Sequence, residues 1–199
     1  KGVDDVVLYD LQEGLAKGYT PSELVAFALA QEPPGFGPGD GWNYSSTNFI
    51  LLGMVIEKAS GKRLVDLYRE KIFAPLSMDS SDYLTTSPKQ GSLVNGYYRL
   101  ADGKLVDMTV WNASQGGAAG AIVSTVNDMQ RFVTGLFDMR LFDKSSTLDE
   151  MLAFRKLTAE EGSGIIKGYG LGLISFNVPG ETAIGHAGQT PGFQTLWFH

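Results

Sequence analysis

Apolar and polar positions follow two rhythms along this chain. Through the first three-quarters they recur at helical spacing. Thr20-Pro21-Ser22-Glu23 opens the first such stretch: Thr20 can cap, Pro21 suits the first helical position, and Glu23 completes a capping box. Leu24, Phe27, Ala28 and Ala30 share a face, and the helix is predicted to stop by Glu32, ahead of Pro33-Pro34. Pro33 to Gly41 then reads as a loop with defined turns. A second helix is predicted over 47–60, apolar on most sides (Phe49, Ile50, Leu51, Leu52, Met54, Val55, Ile56) and therefore expected to be buried, with Gly61 placed for a left-handed cap. A third runs from Leu64 to Phe73 and ends near Pro75. Helices are also predicted from Ser124-Thr125 through Leu136, and over 147–157.

The second rhythm is alternation. Leu93 to Leu100 and Lys104 to Val110, joined at Asp102-Gly103, read as a small hairpin. Tyr169 to Phe176 is predicted as one strand with a Gly-rich start. Thr182 to Gly188 and Phe193 to His199 follow as two more, joined by a turn at Gln189-Thr190-Pro191-Gly192. Between the two halves, Gly116-Gly117-Ala118-Ala119-Gly120-Ala121 is so small that backbone must pass close to something there. Helices first and an antiparallel sheet last make the fold class α+β.

Composition narrows the function. The 199 residues carry 16 Lys+Arg against 22 Asp+Glu, a net charge of −6, and 43% are hydrophobic. This is an ordinary globular balance for one generous domain or two small ones. It lacks the clustered Lys/Arg of a nucleic-acid surface. No run of about 18 apolar residues exists, so no membrane span is expected in this segment. Cys is absent, which removes disulfides, thiolate metal sites and Cys nucleophiles. With only two His and no metal-ligand spacing, neither a metal nor a cofactor is expected.

No convincing nucleophile is visible. No Ser has a Lys three residues later, and Thr86-Ser87-Pro88-Lys89 carries a Pro where one helical turn would be needed. Two segments do carry candidate chemistry. Trp42-Asn43-Tyr44-Ser45-Ser46-Thr47 lies between a Pro/Gly loop and an apolar helix; Tyr44 there either presents its phenol to a cleft or simply packs, with Ser46 or Thr47 as helix cap. In Gly185-His186-Ala187-Gly188, alternation puts His186 and Gly188 on one sheet face. His186 there is either a satisfied strand residue or faces a ligand lying against Gly188.

In this order, four stretches resemble the serine β-lactamase / penicillin-binding protein superfamily, and most of all its class C β-lactamase and D-Ala-D-Ala carboxypeptidase-like branch. Tyr44-Ser45-Ser46 with the helix behind it is similar to the Tyr-x-Asn segment. Ala74-Pro75-Leu76-Ser77-Met78 is similar to a Pro-Leu-Gly-Met helix end. Ala118 to Met129 resembles the small-residue element and the helix after it. Tyr169-Gly170-Leu171-Gly172, Gly185-His186-Ala187-Gly188 and Pro191-Gly192-Phe193 resemble the last run. The resemblance implies a serine hydrolase acting through an acyl-enzyme on amide, lactam or ester bonds. In it, Tyr44 would exchange protons, the third motif residue would hold the substrate amide, and His186 would orient Tyr44 or meet a substrate carboxylate. Gly188 would leave the strand open for substrate, and the Gln189 N–H would form half of an oxyanion hole. The third motif residue is Ser46 here, where the family has Asn, and a hydroxyl lacks the amide's donors.

The family's Ser-x-x-Lys helix would lie upstream and its last strands and C-terminal helix downstream. The chain also starts Lys1-Gly2-Val3 without Met and ends on the apolar Leu196-Trp197-Phe198-His199. It is therefore expected to be an internal piece, inactive alone. Residues 1–160 would be a mostly helical subdomain with a hairpin near 93–110, and 165–199 antiparallel strands of the α/β subdomain. One sheet face is expected bare, with a dimer possible through it. Substrates would be small molecules or peptides, and the resemblance implies a periplasmic or extracellular bacterial protein. The alternative is a non-catalytic peptide or cell-wall-ligand binding protein of the same fold.

Overall fold

The computed structural model describes residues 11–31, 35–99, 103, 105–162 and 164–199. The start at Lys1, the helix stop at Glu32 before Pro33-Pro34, and Asp102 of the small turn lie outside the described residues.

Helices α1 (Leu11–Ala16) and α2 (Pro21–Leu29) open the fold. The capping box forms: the Glu23 N–H donates to Thr20 Oγ1 at 3.2 Å, and the Thr20 N–H donates to Glu23 Oε2 at 2.7 Å. Helix α3 spans Ser46–Ser60 and ends on Gly61, whose φ of 67° is the left-handed conformation that favours glycine. Ser45, rather than Ser46 or Thr47, occupies the cap position of α3, with no side-chain cap bond. Burial of this helix is much less than its apolar run implies. Only Ile50 and Gly53 are buried, whereas Leu51, Leu52, Val55 and Ile56 are exposed. Hydrophobicity records a preference for leaving water, not the presence of a neighbour; among the described residues, α3 is buried only along its Ile50–Gly53 side. Helix α4 (Leu64–Tyr68) widens into a π-helical turn over Arg69–Phe73 and stops at Ala74.

Helix α5 (Val126–Phe137) starts where Thr125 Oγ1 accepts the Asp128 N–H at 3.2 Å. Helix α6 is Ser145–Met151, so the helix predicted over 147–157 stops early. Arg155–Lys156 become strand instead, because Tyr169 and Gly168 offer them a ladder partner. Phe73, Leu76 and Met78 form one buried cluster of the core, packed by Tyr68, Ile72, Phe132 and Leu141. Each such fully buried apolar side chain contributes roughly 1.5–3 kcal/mol.

The strands form three antiparallel groups. β1 (Asp82–Tyr83) pairs with β4 (Ile122–Val123), and β2 (Tyr97–Arg99) with β3 (Leu105–Asp107), the expected hairpin. The main sheet takes β5 (Arg155–Lys156), β6 (Ile166–Tyr169), β7 (Ile174–Val178), β8 (Glu181–Thr190) and β9 (Phe193–Phe198) in chain order. The single strand predicted from Tyr169 to Phe176 is divided between β6 and β7. The Gly170 N–H donates to the Leu173 carbonyl at 2.8 Å, and Gly172 takes φ 77°, so the chain reverses where the glycines allow it. β8 and β9 meet at Pro191-Gly192, with Gly192 at φ 81°, the residue order that suits a type II turn.

Ladder partners share a face, which sorts the sheet. His186 pairs with Trp197, whose ring meets Phe132 of α5 edge-on at 5.8 Å, and His199 stacks on Phe137 at 4.2 Å. The face bearing His186 is therefore the helix-covered one. The opposite face carries Val178, Leu196 and Phe198, all exposed.

Candidate active site

The small-residue run sets the site's geometry. At Gly53 of α3 a Cβ would lie 2.7 Å from the Ala118 Cβ, so α3 rides closely on the turn at Gly117–Ala119. At Gly120 a Cβ would touch Thr190 Cγ2 at 3.5 Å, which places the same turn beside the tip of β8. Backbone does pass closely here, and the result is to seat the start of α3 against β8. Tyr44, two residues before α3, then brings its ring to 6.2 Å from the His186 imidazole.

A third ring, Tyr169, completes the group. Its centroid lies 6.1 Å from Tyr44 and 6.0 Å from His186, and Trp42 covers it at 5.5 Å. Tyr169 Oη and His186 Nε2 are 3.0 Å apart, and His186 Nδ1 lies 2.6 Å from the Ala187 carbonyl. Burial holds the imidazole below its ordinary pKa, opposed by the bond to the Ala187 carbonyl. Burial, helped by the neighbouring Tyr44, pushes the Tyr169 phenol up to about 12. The imidazole is thus neutral near pH 7, and Tyr169 keeps its proton.

Of the residues singled out in the sequence, Tyr44 and His186 are brought together, Tyr44 with 43% of its surface exposed. Gly188 lies two residues along β8 on the His186 face, and a Cβ there would meet nothing within 4 Å, so the strand is open at that point. Gln189 follows, exposed and paired with Gln194. Ser46 begins α3 on the Tyr44 segment, partly buried, and none of the described side-chain hydrogen bonds runs through it. Tyr169 was not identified from the sequence. Its motif was visible, but its bond to His186 depends on the β6–β7 reversal, which alternation alone does not reveal. A separate cavity of about 760 Å³, lined by Arg69, Ser80, Ser87 and Lys89 among others, lies away from this cluster. The Thr86 to Lys89 segment on its wall is loop.

The sequence profile described as Beta-lactamase matches residues 2–199. The chain belongs to the beta-lactamase family. Within that family it is 30% identical over 175 residues to penicillin-binding protein 4* of Bacillus subtilis, covering 81% of this chain and 37% of that protein. A D-aminopeptidase of Brucella anthropi is 24% identical over 193 residues, covering 91% of this chain and 33% of the relative. Among solved structures, a D-stereospecific amidohydrolase from Streptomyces sp. superposes with TM-score 0.83 at 32% identity, covering 98% of this chain and 56% of that one. The D-amino acid amidase of Ochrobactrum anthropi SV3, complexed with D-phenylalanine, superposes with TM-score 0.78 at 30% identity, covering 89% and 53%. The chain thus spans about a third of these curated relatives and about half of these solved chains. The α+β arrangement is a partial β-lactamase/transpeptidase-like fold, as the resemblance implied. Among the described residues no helix is long and apolar enough to cross a membrane.

Proposed function

We propose that this chain supplies the tyrosine and histidine side of the active site of a serine hydrolase that opens amide bonds through an acyl-enzyme, with D-amino-acid amides or peptides as the substrate class. The observation that carries the reading is the seating of Tyr44 against His186 beside the open strand at Gly188. The names of the D-aminopeptidase and D-amino acid amidase relatives support the substrate class. In this reading, substrate lies along β8 at Gly188. The Gln189 N–H donates to the developing oxyanion. Tyr44 carries a proton between the nucleophile, which lies outside residues 1–199, and the leaving group. One positioned acid or base contributes typically 10²–10⁴-fold, and one oxyanion donor about 10²–10³-fold. The chain alone is inactive, and its division into a mostly helical part and a terminal sheet belongs to the same proposal.

The test is turnover of D-phenylalanine amide and its L enantiomer by the full-length protein, with and without Tyr44→Phe. The proposal expects D-selective hydrolysis, one fluorophosphonate adduct on the full-length protein and none on this chain, and a loss of at least about 10²-fold in kcat for the variant. Ser46, where the family has Asn, favours the alternative of a non-catalytic peptide or cell-wall-ligand binding protein. Absence of both turnover and adduct in the full-length protein would select it.

A further inference from the structure

His186 has two nitrogens, and both are engaged. The Ala187 carbonyl, 2.6 Å from Nδ1, is a pure acceptor, so Nδ1 carries a proton. A neutral imidazole has only one N–H, which leaves Nε2 as a bare lone pair. The group 3.0 Å from that lone pair is the Tyr169 hydroxyl, which must therefore donate. We infer that Tyr169 is a positioning residue, whose hydroxyl fixes His186 as the neutral Nδ1–H tautomer in one ring plane, so that His186 walls the site without acting as its acid or base. The inference deepens the function proposed above and rests on it only for its effect on turnover.

The arrangement has a definite chemical consequence. With Nε2 occupied by a donor, His186 offers no N–H to a substrate carboxylate and no lone pair to Tyr44. Tyr44 meets it ring to ring at 6.2 Å instead. Proton traffic is left to Tyr44, half exposed beside the open strand. The fixed imidazole and the Tyr169 ring, itself covered by Trp42, hold the Tyr44 ring from two sides. The groups packed on the imidazole are Tyr44 from the start of α3, Tyr169 from β6 and Trp197 across the β8–β9 ladder. No described ion pair includes His186.

The readout is imidazole ¹⁵N NMR of this 199-residue chain. Only two His are present, and His199→Gln assigns the signals. The wild type is expected to show His186 as the Nδ1–H tautomer with a titration midpoint below 6.5. Tyr169→Phe removes a donor that stabilises the neutral ring, so its midpoint should rise by about one unit, the size of one neutral hydrogen bond. An Nε2–H tautomer in the wild type, or an unchanged midpoint in a folded Tyr169→Phe chain, would overturn the inference. Tyr169→Leu gives a second variant without any donor at this position should the first unfold, and its midpoint should rise likewise. In the full-length protein, Tyr169→Phe should lower kcat about tenfold with KM little changed. A catalytically silent protein that shows the NMR result refutes the hydrolase reading and leaves the tautomer inference standing.

Discussion

Two glycines three positions apart on β8 should respond oppositely to the same methyl group. Gly185 is buried between Ile174 and Phe198 in the ladder. A Cβ there would run into the Trp197 carbonyl and come within 2.7 Å of the Phe198 Cα. These are backbone atoms of the neighbouring strand, so no rotamer change relieves the clash; β8 and β9 must separate locally. Overpacking of a tight interior costs about 1–3 kcal/mol even where side chains can shift. With backbone in the way, the upper end applies, offset by about 0.5–1 kcal/mol from removing a strand glycine. Gly185→Ala should therefore destabilise by about 2 kcal/mol or more, a fall in Tm of roughly 4–8 °C for a chain of this size. At Gly188 the methyl meets nothing within 4 Å, so Gly188→Ala should leave Tm unchanged or raise it by up to about 2–3 °C. Thermal unfolding of the two variants beside the wild type reads both. Function should run the other way. Gly188→Leu fills the space proposed for substrate and should cut amide turnover of the full-length protein by at least about tenfold, a barrier change near 1.4 kcal/mol. A Gly185→Ala chain as stable as the wild type would refute the packing argument, and a fully active Gly188→Leu enzyme would refute the substrate path.

Two further outcomes test the frame around the site. Asp128 is buried, and its carboxylate accepts from the Ser81 hydroxyl, the Ser80 N–H and, at 2.6 Å, the Arg131 guanidinium. Burial pushes its pKa up, but these three partners outweigh burial and hold it below the usual carboxylate value. Its stabilisation is therefore present above pH about 4 and lost as pH falls through the lowered pKa. Asp128→Asn should melt earlier than the wild type at pH 7, and the gap should shrink toward pH 3; a gap that stays constant would refute the assignment. On α5, a methyl at Gly135 would run into Leu76 Cδ2, so Gly135→Ala and Leu76→Ala should each destabilise. Unfolding of the double variant should show it more stable than the sum of the singles by about 1–3 kcal/mol, because the new methyl occupies the space Leu76 vacates. Simple additivity would show that the two do not share that space.

Local signals in the sequence carried most of the elements. The Thr20–Glu23 box and Gly61 each specify a helix end through backbone chemistry within four residues, and both are found as expected. The failures lie where tertiary partners decide. Arg155-Lys156 continued a helical pattern but joined the sheet, because strand pairing supplied their hydrogen bonds. The apolar faces of α3 suggested burial that the fold does not supply. In the site, motif order named Tyr44 and His186, whose rings stand 6.2 Å apart, but not Tyr169. Nothing in alternation marks a residue whose hydroxyl reaches past a turn to another strand.

The site is also a statement about folding kinetics. Tyr169 and His186 lie 17 residues apart on neighbouring strands of one meander, but Tyr44 is more than a hundred residues away, and only a long loop closure brings it to them. Closing such loops costs entropy before any contact forms, and contacts of this kind form slowly. The helices, built from local signals, can form early, whereas the ring cluster depends on β6, β7 and β8 having already found their register. The Tyr44–His186 contact is thus a late event, and its appearance in a refolding experiment would mark the moment at which the segment before α3 docks on the finished sheet.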